Sequence, residues 1–388
     1  MTLPRIAVIC DFKEESWPSM DLVADMLLDH LESDYSDVLV ATRIRPPLRR
    51  RLTRDHITAG KLFNADRFLN RFWDYPRFVK GLKNEFDVFH VIDQSYGQLL
   101  HNLPPERTMV TCHDLDTFQC LLAPEKEPRS LLFKRMMKRT LSGFRKAARV
   151  TCNSVATRDQ LLANDLVSAE RAVIVANGVH PACSAQPDPS ADAAAAALIG
   201  ASGEDRLDIL HVGSTIPRKR IDVLLRVFAN VKQTFPNARL LRVGGDFSDE
   251  QLALAVKLNL RDAILVLPHL ERNVLAAIYR RAAVVLQPSE REGFGLPVVE
   301  ALACGTQVFA SDLPVLREVG GDAVMYCAVG DIASWSEGVI KFISERRGNP
   351  SQWSNQGSER RQRALTQAAK FSWADYAKKT VALYRELL

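Results

Sequence analysis

Short apolar strands alternate with helices along this 388-residue chain, and the alternation runs twice. The first series extends from the strand at 6–10 to the strand at 172–175, and the second runs from 207–212 to 323–326. Strands that alternate with helices predict a parallel, doubly wound sheet. Two such series predict an α/β protein with two Rossmann-like domains. Glycines follow several of the strands, so ligands are expected at the carboxyl ends of the strands.

The segment 286–305, LQPSEREGFGLPVVEALACG, predicts an anion site. A buried strand enters a glycine turn, and a helix is expected to begin at Pro297 and to end at Gly305. The turn lets backbone N–H groups approach a ligand, and the helix dipole favours negative charge. Glu292 and Glu300 would repel a phosphate, but each carboxylate can accept hydrogen bonds from two sugar hydroxyls. The combination indicates a ligand with phosphates and sugar hydroxyls, which describes a nucleotide sugar.

This segment resembles the E-x7-E signature of retaining glycosyltransferases of the GT-B fold, family four. Glu292 and Glu300 match its two glutamates. The loop between them is matched by Gly293, Phe294, Gly295 and Leu296. The resemblance extends over essentially the whole chain and is sharpest over 207–330. It implies two doubly wound domains facing a central cleft, with a C-terminal helix that crosses back to the N-terminal domain.

A second motif, HVGSTIPRKRIDVLL at 211–225, places cations at the start of a helix. Cations are unfavourable at the positive end of a helix dipole unless an anion binds there. In the family, a strand-end glycine and a following lysine hold the donor diphosphate, which implies that role for Gly213 and Lys219. Ser214 stands where the family usually has arginine, and Arg218 is expected to supply the missing cation.

Two histidines complete the predicted site. The segment TMVTCHDLDTF, 108–118, delivers His113 at the carboxyl end of a strand. The family places a histidine there, near the donor sugar and the acceptor, and Asp114 is expected to orient it. His269 lies in VLPHLE, 266–271, which matches the loop whose backbone meets the nucleotide base in the family.

Asp114 and Asp116 form a D-x-D triplet of the kind that binds a divalent metal in GT-A glycosyltransferases. That interpretation is rejected because Arg218 and Lys219 would already neutralise the diphosphate. The sequence offers no His/Cys cluster as another metal site. No metal is expected, and no cofactor beyond the donor sugar nucleotide.

The predicted organisation has four parts. An acceptor-binding domain covers 1–180, and a linker rich in Ala, Pro and Ser covers 181–205. A nucleotide-sugar-binding domain covers 206–370. The terminal helix, 371–388, is expected to pack back on the N-terminal domain.

The net charge of +5 is modest, but its distribution is uneven. Residues 43–54 hold six arginines and no acid, and the cations that follow up to residue 80 are interleaved with aromatic side chains. The segment 43–80 suits an anionic membrane surface or a lipid-phosphate acceptor. A solvated surface loop is the alternative, and nucleic acid is not expected because no binding module is recognisable.

The overall composition predicts a globular protein of the cytoplasm. No apolar run approaches the roughly 20 residues of a membrane span. The first residues enter a strand directly and lack the pattern of a signal peptide. The seven cysteines are scattered, which predicts buried, reduced thiols. Peripheral contact with the inner membrane face is the further expectation.

Together these features predict a retaining, metal-independent glycosyltransferase. It would move a sugar from a nucleoside-diphosphate sugar to a saccharide or lipid-linked acceptor in polysaccharide or glycolipid assembly. Two alternatives stay open. One is a catalytically silent GT-B scaffold of a glycan-assembly complex, and the other is a related enzyme such as a nucleotide-sugar epimerase or a sugar-phosphate synthase.

Overall fold

A computed structural model of the chain describes residues 2–54, 57, 59–200, 206–348 and 350–388. The chain divides into two compact units. The first comprises Met1–Gly178 with Trp373–Leu388, and the second comprises Val179–Ser372.

The first unit is built on a six-stranded, fully parallel sheet with strand order β2-β1-β3-β4-β5-β6. Its strands are β1 (Arg5–Ile9), β2 (Val40–Ile44), β3 (Val88–Val91), β4 (Thr108–Cys112), β5 (Arg149–Cys152) and β6 (Ala172–Ile174). Its helices are α1 (Pro18–Tyr35), α2 (Lys61–Leu69), α3 (Tyr75–Gly81), α4 (Gln119–Leu122), α5 (Leu131–Phe144), α6 (Val155–Ala163) and the terminal α15 (Trp373–Glu386).

The central strands β3 and β4 are buried at every position, as expected for a parallel sheet covered on both faces. The strand order reverses between β1 and β3, so the loops that follow these two strands border the switch point of this sheet.

Helix α15 belongs to the first unit although the whole second unit precedes it in the chain. It packs against α1, and its face carries Tyr376, Val381 and Tyr384, all of them buried. The hydroxyl of Tyr384 lies 2.8 Å from Nδ1 of His90 on β3. This contact satisfies a buried polar group at each end, which is why the helix register is well defined.

The second unit repeats the architecture with strand order β12-β11-β10-β7-β8-β9, again fully parallel. Its strands are β7 (Leu207–Val212), β8 (Ala238–Val243), β9 (Ile264–Leu267), β10 (Val284–Gln287), β11 (Val308–Ser311) and β12 (Val324–Cys327). Its helices are α7 (Pro189–Ile199), α8 (Ile221–Thr234), α9 (Asp249–Lys257), α10 (Arg272–Arg281), α11 (Leu296–Ala303), α12 (Pro314–Gly320), α13 (Ile332–Gly348) and α14 (Pro350–Ala368).

This order is the Rossmann order, and its switch point falls between β7 and β10. The loops that follow β7 and β10 carry the two glycosyltransferase-like motifs, and these loops therefore meet at the switch point. The two parallel six-stranded sheets confirm the predicted α/β fold with two doubly wound domains.

Part of the predicted linker at 181–205 is a packed helix instead. Residues 189–199 form α7, which packs on α10 within the second unit and buries Ala191, Ala195 and Ile199. Asp188 caps the helix and Pro189 occupies its first turn. The alanines hid this helix because a run of small apolar residues shows no contrast between its buried and exposed faces. Residues 201–205 of the predicted linker lie outside the described residues.

All seven cysteines are buried free thiols, as the sequence predicts. Among the described helices, none combines the length and the apolar character needed to cross a membrane.

Candidate functional site

The best-defined polar cluster of the second unit forms around Glu292, in the turn between β10 and α11. Its side chain is 5% exposed. Nζ of Lys219 donates to Oε1 at 2.6 Å, and a guanidinium nitrogen of Arg218 donates to Oε2 at 3.1 Å. Gln287 and Ser289 donate to the same Oε1 at 2.7 and 2.8 Å. The carboxylate therefore accepts four hydrogen bonds, two of them from cations.

These contacts fix the charge of Glu292. Burial alone would raise its pKa, but the nearby charges of Lys219 and Arg218 outweigh burial, and the pKa falls from 4.5 to about 2. Glu292 is thus an ionised carboxylate across the physiological range, held by charge-assisted hydrogen bonds.

Lys219 and Arg218 are delivered by a short 3-10 turn, Pro217–Lys219, between β7 and α8. Arg220 then adopts a left-handed conformation and turns the chain into α8. Backbone contacts join this turn to the Glu292 loop, because Glu290 N–H donates to the carbonyl of Arg218 at 2.9 Å. Arg218 also donates to the carbonyl of Arg291 at 2.9 Å. The predicted phosphate site and the predicted sugar site are therefore a single cluster at the switch point.

Glu300, on α11, sits in a second buried cluster. Arg272 donates to its Oε1 at 3.1 Å and the hydroxyl of Tyr279 donates to its Oε2 at 3.0 Å. Burial raises the pKa of Glu300, against the lowering effect of Arg272 and Tyr279. Each of the two glutamates has its own set of donors, and the environments push their pKa values in opposite directions.

The backbone between the glutamates forms a tight turn. Gly295 precedes α11 with φ +96°, a left-handed conformation that favours glycine, and a Cβ there would lie 2.6 Å from a methyl group of Leu316. Phe294 is buried and packs edge-on against Phe371, with ring centroids 5.5 Å apart. Gly293 is buried as well, and Leu296 opens the helix with Pro297 in its first turn.

The backbones of β7 and β8 approach closely where they end. A Cβ on Gly244, which has φ +115°, would lie 2.4 Å from the carbonyl oxygen of Gly213. Gly213 and Ser214 are partly exposed beside this contact. His269 is exposed in the segment that follows β9. Glycine at 244 therefore lets the ends of the two strands meet beneath the predicted phosphate site.

A buried basic pair lies beneath these glycines, and sequence reasoning missed it. Arg242 of β8 and His211 of β7 stand opposite one another in the strand register, and both are fully buried. Arg242 donates from one guanidinium nitrogen to the carbonyl of Val243. Its other two nitrogens, and both ring nitrogens of His211, have no hydrogen-bond partner within the described part of the chain.

The charge of this pair is also uncompensated. Burial lowers the pKa of Arg242 to about 10. Burial, then Arg242 and Lys219, holds the pKa of His211 well below its usual value, so this ring is neutral. An arginine inside the apolar run of β8 was the signal that sequence reasoning could have used. No comparable signal marked Gln287, Ser289, Arg272 or Tyr279.

His113 belongs to the first unit, where it follows β4 and is 5% exposed. Its Nε2 lies 2.7 Å from the carbonyl of Ile92, to which it donates. Its backbone N–H donates to Gln94 and its carbonyl accepts from Asn153. Burial lowers the pKa of His113, so the ring is neutral at physiological pH. Ile92, Gln94 and Asn153 fix its position, and none of them was predicted.

A carboxyl pair occupies the switch point of the first sheet. Asp11 follows β1 and Asp93 follows β3, and both are buried. Burial and the neighbouring Asp93 raise the pKa of Asp11 well above its usual value. Ionisation of Asp11 is therefore disfavoured. Asp93 also caps the following 3-10 helix, Gln94–His101, by accepting from the backbone N–H of Ser95.

Within the described residues, no group of three or more His, Cys, Asp or Glu side chains is arranged to hold a metal ion. Asp114, of the rejected D-x-D triplet, instead accepts from Gln94 at 3.3 Å and from the backbone N–H of Asp116 at 3.0 Å.

Comparison with solved structures identifies the fold. The chain superposes on sucrose-phosphate synthase from Thermosynechococcus elongatus with a TM-score of 0.73 and 22% identity, covering 99% of both chains. It superposes equally well on Anabaena Alr3699/HepE in complex with UDP and glucose, with a TM-score of 0.73 and 16% identity over 99% of this chain and 100% of that one. At these identities the likeness shows the fold, which is the GT-B glycosyltransferase fold.

Sequence models identify the family. Residues 199–360 match Glycosyl transferases group 1, and residues 21–182 match Glycosyltransferase Family 4. The two matches together span most of both units. Each half of the chain therefore matches a family of glycosyltransferases.

Relatives support the same family. The chain is 31% identical to D-inositol 3-phosphate glycosyltransferase of Mycolicibacterium smegmatis over 58% of its own length and 52% of that protein. It is 26% identical to O-antigen chain mannosyltransferase RfbU of Salmonella typhimurium over 66% of each. The chain spans about half the length of several curated relatives that it matches.

Proposed function

We propose that the protein is a retaining glycosyltransferase that moves a sugar from a nucleoside-diphosphate sugar to a hydroxyl acceptor in polysaccharide or glycolipid assembly. The observation that carries the proposal is the buried cluster of Glu292, Lys219 and Arg218 at the switch point of the second sheet. Open α/β sheets bind their ligands at this point. The two cations suit the diphosphate of a nucleotide sugar, and the carboxylate suits its sugar hydroxyls.

Lys219 and Arg218 would stabilise the diphosphate as it leaves the sugar. Both stand at the entrance to α8, where the helix dipole adds to their positive charge. In the proposal, these cations supply the charge that a divalent metal supplies elsewhere, which makes the reaction metal-independent. Glu292 keeps both cations in place, since its hydrogen bonds to Lys219 and Arg218 hold them in one geometry before the donor arrives.

Glu292 would also accept hydrogen bonds from the donor sugar, with a hydroxyl taking over one of the bonds that Gln287 and Ser289 make in the free protein. Glu300 would accept from the ribose hydroxyls, with Arg272 and Tyr279 setting its orientation. Gly293–Leu296 would present backbone N–H groups to the ligand, and the segment carrying His269 would meet the base. His113, a residue of the first unit, would contact the donor sugar and the acceptor.

Retention would follow from front-face chemistry. In this proposal the diphosphate departs and the acceptor hydroxyl arrives on the same face of the sugar. Double displacement would need a carboxylate nucleophile. A pKa of about 2 makes Glu292 weakly basic, and its donors already occupy both oxygens. These properties favour a binding role for Glu292 over covalent attack.

The relatives agree with this class of reaction. RfbU is named as an O-antigen chain mannosyltransferase, and Alr3699/HepE has been solved in complex with UDP-glucose. These names support sugar transfer and a nucleotide-sugar donor for this chain.

The test is a transfer assay with a panel of UDP-, GDP- and ADP-sugars and oligosaccharide or lipid-linked acceptors, read by proton NMR at the new anomeric centre. We expect product with the anomeric configuration of the donor. Product of opposite configuration would contradict retention. Sugar release without an acceptor would favour the epimerase-type alternative. Donor binding without any turnover would favour a scaffold.

Variants connect the activity to the cluster. Lys219→Ala is expected to lower turnover about 100-fold, because a preorganised cation at the leaving group contributes on that scale. Lys257→Ala is the matched control, since Lys257 is an exposed lysine of α9 in the same unit. Near-normal turnover of the Lys219 variant would remove the cluster from the mechanism.

A further inference from the structure

The first turn of α5 exposes three consecutive apolar side chains. Leu131 is 87% exposed, Leu132 66% and Phe133 36%. Ser130 caps the helix by accepting from the N–H of Phe133 at 3.3 Å, so the turn is regular helix and not a frayed end. The remainder of α5 packs on the first unit through Met137, Leu141 and Phe144, which are buried. Large apolar side chains clustered at an exposed helix tip indicate a binding surface.

Cations continue this surface along the helix. Arg135, Lys138 and Arg139 lie four, seven and eight residues after Leu131, so the four side chains share one face. That face is exposed, and Lys134 flanks it. No ion pair joins any of these four cations to a carboxylate in the described portion of the chain.

The charge along α5 itself is of one sign, while Glu127, just before the helix, pairs with Arg129. The sequence from 128 to 158 contains no Asp or Glu. Lys134 and Arg135 also lie in the first turns of α5, where the positive end of the helix dipole makes cations unfavourable. Helix stability therefore does not explain their placement, whereas an anionic surface against the tip of α5 would.

The segment 43–80 differs in this respect. Its arginines are largely paired within the first unit. Arg43 lies 2.6 Å from Asp25, Arg51 lies 2.8 Å from Asp74, and Arg71 lies 3.3 Å from Glu15. Arg45 and Arg67 pair with Asp21 and Glu15 as well. Residues 55, 56 and 58 of the segment lie outside the described residues. Most of the positive charge predicted there is therefore paired with carboxylates of the same unit.

We propose that the tip of α5, defined by Leu131–Phe133 with Lys134, Arg135, Lys138 and Arg139, docks on an anionic lipid bilayer. Leu131, Leu132 and Phe133 enter the headgroup and acyl boundary, and the four cations contact lipid phosphates. Charge complementarity selects this occupant, because the exposed helix face that continues the apolar tip carries only cations. The inference rests on the first unit alone and does not need the donor site to be correct.

The test is co-sedimentation of the full chain with vesicles. One set contains phosphatidylcholine only, and the other mixes phosphatidylcholine and phosphatidylglycerol in equal amounts. We expect binding to the mixed vesicles and little to the neutral ones, with affinity falling as salt is added. Failure to bind the mixed vesicles at low salt would overturn the proposal.

Two variants separate the apolar and cationic contributions. The triple change Leu131→Ser, Leu132→Ser and Phe133→Ser is expected to lower the partition coefficient at least about tenfold, because three exposed apolar side chains lose their burial in lipid. The double change Arg135→Gln and Lys138→Gln is expected to lower it several-fold and to weaken its salt dependence. All five side chains are exposed, so the fold is expected to survive both changes.

Matched controls make the result specific. Leu252→Ser with Val256→Ser removes an exposed apolar pair from α9 of the second unit, 45% and 51% exposed, and should leave vesicle binding unchanged. Trp73→Ser with Phe78→Ser removes exposed aromatic side chains from the segment 43–80. If that pair abolishes binding while the α5 variants bind normally, the surface is the other one and the proposal is wrong.

Two further measurements remove the remaining ambiguity. Size-exclusion chromatography shows whether the triple variant changes the oligomeric state. A change there with unaltered vesicle binding would assign the patch to self-association and contradict the proposal. Thermal shift with nucleotides on the same samples reports the donor site separately, so failure at either site is recognised independently of the other.

Discussion

Lys219 and Glu292 stand 73 residues apart in the chain, yet Nζ of Lys219 lies 2.6 Å from Oε1 of Glu292. The contact exists because β7 and β10 are neighbours at the switch point of the second sheet, so the segments that follow them meet. Both side chains are almost fully buried. Removing one partner of such a buried pair is strongly destabilising, because it leaves an uncompensated buried charge.

The acid dependence of stability should reveal the Glu292 cluster. The folded pKa of about 2 lies below the ordinary 4.5, so the cluster stabilises the fold above pH 4.5 and loses this contribution as the pH falls towards 2. The shift corresponds to about 3 kcal/mol. Glu292→Gln should therefore be destabilised by about that amount at neutral pH, and the difference from the unmodified protein should shrink between pH 4.5 and 2.

Urea titrations across that pH range measure the effect. Glu337→Gln, at an exposed position of α13, serves as the control and should follow the unmodified protein throughout. A difference for Glu292→Gln that stays constant with pH would show that Glu292 is not held as a low-pKa carboxylate.

Glu300→Gln should show the opposite slope. Burial raises the folded pKa of Glu300, so its ionisation costs stability as the pH rises from 4.5 through the folded pKa. Glutamine cannot ionise, and the stability of the variant relative to the unmodified protein should therefore improve with rising pH in this window. The same urea titrations detect it, and a relative stability that declines with rising pH would contradict the assignment.

Nucleotide binding reports the second role of Glu300. If it accepts from ribose hydroxyls, Glu300→Gln should weaken a nucleoside diphosphate about tenfold, because an amide gives up a charge-assisted hydrogen bond. Inorganic pyrophosphate has no ribose, and its affinity should stay unchanged. Equal loss for both ligands would place the effect at the phosphates.

Arg242→Met should separate stability from binding. The charge of Arg242 is buried without a carboxylate, and two of its nitrogens have no partner, so an apolar side chain of similar length should cost little or even stabilise the fold. Its positive charge beneath Gly213 and Gly244 should favour a bound diphosphate, and we expect about tenfold weaker binding in the variant.

Arg239→Met is the contrasting change on the same strand. Arg239 makes two hydrogen bonds to Asp208, at 2.9 and 3.0 Å, so its loss leaves that buried carboxylate unpaired. It should lower the urea midpoint and leave nucleotide affinity unaltered. If Arg242→Met instead lowers stability and spares binding, Arg242 has a structural role only.

Gly244→Ala tests the close approach of β7 and β8. The Cβ of alanine would lie 2.4 Å from the carbonyl oxygen of Gly213. The alanine would also have to adopt a positive φ. Gly245 has a comparable φ of +104° but no atom within 4 Å of a Cβ. Gly245→Ala should cost about 1–2 kcal/mol from backbone strain alone. Gly244→Ala should cost clearly more, and equal urea midpoints would contradict the approach.

The sequence was sufficient for the parts of the molecule that local patterns encode. Strand and helix alternation predicted both sheets, and the glycine turn before α11 predicted the position of Glu292. The family resemblance supplied Lys219 as a site residue. The helix at 189–199 escaped prediction because its alanines show no periodic contrast.

Long-range partners could not be predicted from the sequence. Gln287, Ser289, Arg272 and Tyr279 acquire their roles from the way the strands and helices converge on two carboxylates. Arg242 was visible as a charge inside an apolar strand, but only the register with His211 shows what it faces. The basic character of α5 was visible as well, whereas the exposure of Leu131 depends on how the helix packs.

The central claim, a nucleoside diphosphate bound by Lys219, is tested most directly by thermal shift. UDP, GDP and ADP are each added to the unmodified protein and to Lys219→Met, with Lys257→Met as the control. At 100 times its dissociation constant, one nucleotide should stabilise the unmodified protein and the control by about 2.7 kcal/mol. The shift should disappear in Lys219→Met. Equal shifts in all three proteins, or none with any nucleotide, would contradict the account.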